Sequence, residues 1–238
     1  MTSYDVSDVG KACVRTLAKL DHSSNNVANV ATPGFKAEYL SYIMNTPAPD
    51  LRDQVPPYTE SVFTDYSQGT LQKTDNPLDF ALQGDGFFTL QTDQGIVYTR
   101  KGDFTINSRS ELVTKSGDYV LGRTGKIILE GKDIRVDESG NIMMDGNQAD
   151  MLSIVSFENP EALVHVGGGA FKDNGNGVLK KDFAPHVVNE SLESSNVSAI
   201  KEMIQMIDLQ RTFETYQKLI HTMSDQDKLS TGRIGKLV

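Results

Sequence analysis

The sequence predicts an α+β fold, with long N- and C-terminal helices pairing as a helical core and a mostly antiparallel β domain inserted between them. Three observations carry this expectation. Residues 196–223 hold an unbroken apolar pattern at spacings of three and four, with no Gly or Pro among them. Residues 4–30 repeat a weaker form of that pattern. Between 78 and 158, short runs of strand-forming residues alternate with Gly, Asp and Asn turn chemistry at intervals of about ten residues.

In the first helix, Val6, Val9, Cys13, Leu17, Leu20, Val27 and Val30 share one face. Ser23, Ser24, Asn25 and Asn26 dilute it, because serine and asparagine compete for backbone hydrogen bonds. Thr32-Pro33-Gly34 stops the helix: proline disfavours helical geometry in the residue before it, and glycine permits a sharp turn. Residues 37–75 read as an extended connector, rich in proline (Pro47, Pro49, Pro56, Pro57), with one short strand near 39–44.

The β domain spans 76–189. Its strand signals are LDFAL, FFTLQ, IVYTR, DFTIN, ELVTK, YVLGR, KIILE, DIRVD, NIMMD and MLSIVSF, which together suggest a sandwich or barrel-like domain. Gly167-Gly168-Gly169 and Asn174-Gly175-Asn176-Gly177 form loops leading out of it.

In the last helix, Met206, Leu209, Phe213, Tyr216, Ile220 and Met223 form one stripe, and Ile200, Met203, Ile204 and Ile207 widen its first half. Lys201, Glu202, Asp208, Arg211, Glu214 and Lys218 fall largely on the other side, and Asn196 or Ser198 can cap the start. At ~1.5 Å per residue the helix is roughly 40 Å long. So wide a face needs a partner, in this chain or in another copy. The two terminal helices either pack together or cap the β domain separately, and their matching stripes favour pairing. The terminal helical domain would then be 1–36 plus 190–238.

The chain has 238 residues with 32 acidic against 23 basic, a net charge of −9. That balance opposes a general nucleic-acid binder, which needs cations to neutralise phosphates. Cys13 is the single cysteine, so an internal disulfide or a cysteine-rich zinc site is excluded. No window approaches the ~20 apolar residues of a membrane helix, so membrane insertion is not expected. The first residues lack a basic start followed by an apolar run, so no cleaved secretory signal is expected either.

Catalytic chemistry finds little support. His22, His165, His186 and His221 show no metal-ligand spacing, and no G-x-S-x-G stretch occurs. Ser198-Ala-Ile-Lys201 fits S-x-x-K, but at a helix start it reads as a cap. Residues 117–124, GDYVLGRT, nearly fit a phosphate-binding loop. That loop needs a helix after it, whereas KIILE follows and reads as a strand. No catalytic residue, metal or cofactor is therefore assigned. A non-enzymatic assembly subunit is preferred over a hydrolase with acidic residues in a cleft and over a monomeric binding module.

Three segments together resemble the flagellar rod and hook (axial) protein family of bacteria. Residues 20–36, LDHSSNNVANVATPGFK, are similar to the family's N-terminal signature. Residues 69–123 resemble its shared β region through GTLQKTDNPLDFALQGDGFF, VYTRKGDF and LVTKSGDYVLGR. Residues 192–216 resemble its C-terminal signature. The resemblance implies helical self-assembly into the hollow rod of the basal body, which transmits torque and conducts exported subunits. It also implies paired terminal helices around the channel, a β domain outside, and export by the flagellar type III machinery without a cleaved signal. Partners would be copies of this chain and neighbouring rod and hook proteins. The length excludes a typical hook protein. Pro33-Gly34-Phe35 and 76–82 look like proximal rod members, which is the reading taken, while 83–88 look equally like distal ones. The implied subunit interface comprises Leu17, Leu20, Asn26, Val27, Asn29, Ile200, Met203, Ile204, Ile207, Phe213, Tyr216 and Ile220. Asn25, Asn26 and Asn29 suit either a polar channel lining or ordinary helix-end contacts.

Overall fold

A computed structural model describes residues 6–46, 58–131 and 134–234. In chain order the elements are α1 (Val6–Ala28), β1 (Glu38–Met44), β2 (Tyr58–Thr64), β3 (Leu71–Lys73), β4 (Phe80–Leu82), β5 (Phe87–Thr92) and β6 (Gly95–Thr99). There follow β7 (Phe104–Ile106), β8 (Leu112–Thr114), β9 (Tyr119–Gly122), β10 (Gly125–Lys126), β11 (Ile134–Val136), β12 (Asn141–Met144), β13 (Asn147–Met151) and β14 (Ile154–Val155). The chain closes with β15 (Leu163–Gly167), β16 (Ala170–Asp173), β17 (Val187–Asn189), β18 (Ser191–Glu193) and α2 (Ala199–Ile234).

Two compact units emerge. Of the described residues, one draws on 6–28, 38–46, 58–63 and 198–234, the other on 29–37, 64–131 and 134–197. The larger unit is the β unit. Its main sheet has nine strands, in the order β15-β16-β6-β5-β9-β8-β7, with β10 on β9 and β14 on β5. Beside it lie a three-stranded sheet, β11-β12-β13, and the pairs β17-β4 and β18-β3, all antiparallel.

Strand β5 shows how the sequence builds this unit. Successive side chains of a strand point to opposite faces. Phe88 and Leu90 enter the main core with Phe80, Leu82, Val97, Phe104, Leu112, Val120, Ile127, Leu129, Ile142 and Val187. Phe87 enters a second cluster with Phe157, Leu163 and Phe171. Tyr66 meets Phe87 and Phe171 at ring distances of 5.8 and 5.6 Å. The consecutive apolar residues FFTL are thus buried on both faces, as expected of a central strand rather than a half-exposed one.

The smaller unit holds α1, α2 and the β1/β2 pair. Asn26 of α1 is buried, donating to the Glu38 carbonyl at 2.9 Å and accepting from the Glu38 amide at 3.0 Å. Ser23 donates to the Glu202 carboxylate of α2 at 2.6 Å. Arg15 lies over the Tyr58 ring at 4.4 Å, and Tyr39 meets Phe63 at 5.4 Å.

The expectation that the terminal helices pair as a helical core is overturned. Among the described residues there are two α-helices against eighteen strands, and no residue of either helix belongs to the buried hydrophobic set. The apolar core lies in the β sheets. What the helices bury is polar: Thr16, Ser23 and Asn26 on α1, and Glu202 on α2. The physical reason is the width of the α2 face, which exceeds what one partner helix covers. The broad α+β class fits, with antiparallel sheets dominant.

The near phosphate loop proves to be a hairpin. β9 ends at Gly122, Arg123 and Thr124 form the turn, and β10 returns with Lys126 opposite Leu121. The Thr124 hydroxyl donates to Asp150 at 2.7 Å. A strand rather than a helix follows this loop, so titration with ATP and magnesium should produce no saturable shift at the Gly122 and Thr124 amides. A micromolar site there would refute this reading.

Gly102 fixes where the β4 backbone crosses. Its carbonyl accepts from the Phe80 and Phe104 amides, each at 3.0 Å, and an added Cβ would lie 1.6 Å from the Phe80 carbonyl oxygen. Backbone cannot yield as a side-chain tip can. Gly102→Ala is expected to cost about 3 kcal/mol or more, read from denaturant unfolding of the β unit.

Candidate assembly surface

Most apolar residues of α2 fall into two rows, with Leu219 exposed apart from both. Met206, Leu209, Phe213, Tyr216, Ile220 and Met223 are half-buried. Ile200, Met203, Ile204 and Ile207 are exposed, at 73, 49, 56 and 51 %. The second row has the i, i+3, i+4, i+7 spacing of a single helical face. Covering what these four side chains still expose would contribute gross stabilisation of about 3–7 kcal/mol. A free chain leaves that stabilisation unused.

On α1, Val14 and Leu17 are exposed, Leu20 and Val27 are half-buried, and Asn26 is turned inward to the β1 backbone. Val9, Ala12, Tyr58, Tyr216, Leu219 and Met223 line an apolar groove of about 650 Å³ in the smaller unit, with Asp8, Lys11 and Arg15 at its sides. Asn29 belongs to the β unit, where its side-chain oxygen accepts from the Thr32 hydroxyl at 3.1 Å. Asn26 and Asn29 thus make local contacts in the single chain. Ile200, Met203, Ile204 and Ile207 form one continuous row, and Val14 joins the exposed set without a sequence signal to single it out, since it lies off the α1 stripe.

The segments that lead into the two helices are fastened in the β unit by buried charge. Lys36 and Glu193, only 2 and 1 % exposed, form an ion pair at 2.6 Å. The Lys36 ammonium also donates to the Ser67 carbonyl at 2.7 Å. Glu193 Oε1 accepts in addition from the Gly69 amide at 2.9 Å, and Glu193 Oε2 lies 3.5 Å from the buried Arg100 guanidinium. Arg100 donates to the Leu82 and Gly84 carbonyls and stacks over Phe87 at 5.5 Å. Burial pushes the Lys36 ammonium below its ordinary value, against the opposing pull of Glu193, and does the same to Arg100. Desolvation therefore outweighs pairing at both cations.

Backbone and amide contacts complete the junction. The Gly34 amide donates to the Glu193 carbonyl at 2.7 Å. Gly34 has φ +65°, and an added Cβ would lie 2.4 Å from the Arg100 carbonyl carbon, so only glycine fits. Asn196 accepts from the Ala37 amide at 2.8 Å and donates to the Asp65 carbonyl at 2.8 Å. It is therefore spent on the β unit, and Ser198 is the residue that directly precedes α2. The sequence reading named Gly34, Phe35 and Lys36 for their pattern and missed the role of Lys36, Arg100, Glu193 and Asn196. The available signal was the lysine closing the Gly-Phe-Lys motif, a charge beside two small or apolar residues.

Removing one member of a buried ion pair strands the other. Lys36→Met is expected to lower β-unit stability by about 3–5 kcal/mol in urea unfolding. A loss below about 1 kcal/mol, the range of an exposed pair, would show that this junction contributes little.

Among the described residues, no group of His, Cys, Asp or Glu is arranged to hold a metal ion, and no helix is long and apolar enough to cross a membrane. Comparison with known proteins bears on the exposed row and the junction alike. Residues 188–230 match the family described as flagellar basal body rod FlgEFG protein C-terminal, which takes in Glu193, Asn196 and the whole exposed row of α2. Residues 81–144 match the flagellar hook protein FlgE/F/G D1 domain. The flagellar basal-body rod protein FlgF of Caulobacter vibrioides is 28 % identical, over 96 % of this chain and 97 % of its own length. The flagellar basal-body rod protein FlgG of Buchnera aphidicola is 31 % identical over 85 % of this chain and 88 % of its own, and that of Borreliella burgdorferi is 32 % identical over the same shares. Likeness at this level over most of both chains places the sequence: it belongs to the flagellar basal-body rod and hook protein family.

Proposed function

We propose that this chain is a structural subunit of the bacterial flagellar basal-body rod, which copies of itself and neighbouring rod and hook proteins build by helical self-assembly. The observation that carries the reading is the exposed row Ile200, Met203, Ile204 and Ile207 within the C-terminal region that the family shares. Isolated apolar residues on a surface are ordinary, but four on one helical face mark a contact. A patch on one part of a subunit that meets a different part of the next gives a head-to-tail interface, and such interfaces extend into helical filaments. The interface in this reading includes Leu17, Leu20, Asn26, Val27, Asn29, Phe213, Tyr216 and Ile220 beside that row.

The role is mechanical, without catalysis or cofactor. Delivery uses the flagellar type III export machinery. The proximal part of the rod is favoured by Pro33-Gly34-Phe35 and residues 76–82, and a distal position by the resemblance of residues 83–88. The terminal segments, 1–36 and 190–238, carry assembly in this scheme, and 76–189 form the outward domain.

Ile207 tests the proposal. It is 51 % exposed, so a carboxylate there meets solvent in the free chain. Ile207→Asp should change the unfolding free energy of the isolated protein by no more than about 0.5 kcal/mol. In the assembly the same carboxylate would be buried without a partner, in every subunit. The variant is expected to be produced and folded, yet absent from purified basal bodies, with cells non-motile. Normal assembly, or a clear drop in the melting temperature of the monomer, would remove the α2 row as the contact surface.

A further inference from the structure

We infer that Lys36, Arg100 and Glu193 form a closure latch: the β unit completes its fold only when the late segment carrying Glu193 is in place. Chain order supplies the first part of the argument. β17 and β18 come after every other strand, yet they pair with the early strands β4 and β3. β4 has no other strand partner among the described residues, although Phe80, Ala81 and Leu82 are all buried. Val187 of β17 also sits in the main core. A chain that ends before β17 leaves β4 with an open edge and the core with a gap.

Charge supplies the second part. Lys36 and Arg100 are both buried, and Glu193 is the carboxylate paired to each, at 2.6 and 3.5 Å. Asp65 and Asp85 also pull on these cations, but neither forms an ion pair with them, so before Glu193 arrives closing this end of the unit would bury two cations without a paired anion. The same residue satisfies the Gly69 amide through its side chain and the Gly34 amide through its carbonyl. Segments 34–36, 67–69 and Arg100 therefore share one late partner. Chains are made from the N-terminus onward, and domains generally fold as units. A latch of this design holds an unfinished chain open and lets the whole β unit close at once.

Native-state amide exchange on the full-length protein tests this. The latch reporters are the amides of Gly34 and Gly69, bonded to Glu193, and of Ala37, bonded to Asn196. The deep reporters are the amides of Thr89, Leu112 and Leu129, bonded to Ser153, Ile127 and Ser110. In the unaltered protein both sets should open together, with one dependence on denaturant. In Glu193→Gln both sets should exchange about 100-fold faster or more. The inference is overturned if the latch amides of the unaltered protein open while Thr89, Leu112 and Leu129 stay protected, or if Glu193→Gln accelerates only the latch amides. Should Glu193→Gln fail to fold, the unaltered protein decides alone.

Discussion

A lysine and a glutamate far apart in sequence, almost wholly removed from water, set the terms for the rest of this molecule. Burying either charge alone is costly, and burying both is tolerable only at close range with further hydrogen bonds. Lys36 and Glu193 meet at 2.6 Å, with Ser67, Gly69 and Arg100 completing the set. That requirement fixes the end of the N-terminal segment against the start of the C-terminal one. It also explains the glycine at 34, where the chain must pass against the Arg100 backbone in a left-handed conformation.

The helices themselves follow a different economy. Their buried residues are polar, and much of their apolar surface is half or fully exposed. The β unit is the reverse, with continuous apolar strands and two core clusters. Such a division suits a protein whose β unit folds within one chain and whose helices supply contact surface for others. The family's shared C-terminal region runs through both the buried Glu193 and the exposed α2 row.

Much of this was legible in the sequence, in proportion to how local each signal is. Short strand-forming runs such as FFTLQ and IVYTR located β5 and β6, and α1 ends at Ala28, a few residues ahead of the Thr32-Pro33-Gly34 stop. Residues 196–223 gave a helix, but not its role: periodicity identifies an apolar face without saying what covers it. β3, β17 and β18 escaped notice because their pairing is set by partners distant in sequence, and β15 and β16 because the glycines at 167–169 read as a loop leading out rather than as the turn of a hairpin. β2 escaped because YTESVFT follows a proline-rich stretch that masks it. The Lys36/Glu193 pair could not be read at all, since an acidic chain offers a lysine many possible partners and only the fold selects one.

Strand β5 has one more consequence. Because Phe87, Phe88, Thr89 and Leu90 are all buried, sliding the strand by one position would still present apolar groups to both sides. Hydrophobic patterning therefore distinguishes the correct alignment poorly, unlike a strand with one wet face. The discrimination passes to the tight turn at Asp93 and Gln94, where Thr92 faces Gly95 across the ladder. There the Thr92 hydroxyl donates to the Gly95 carbonyl at 2.9 Å and accepts from the Gln94 amide at 3.2 Å. A small, solvent-side clasp thus sets the alignment of a strand enclosed on both faces, and fidelity of the interior is governed from its surface.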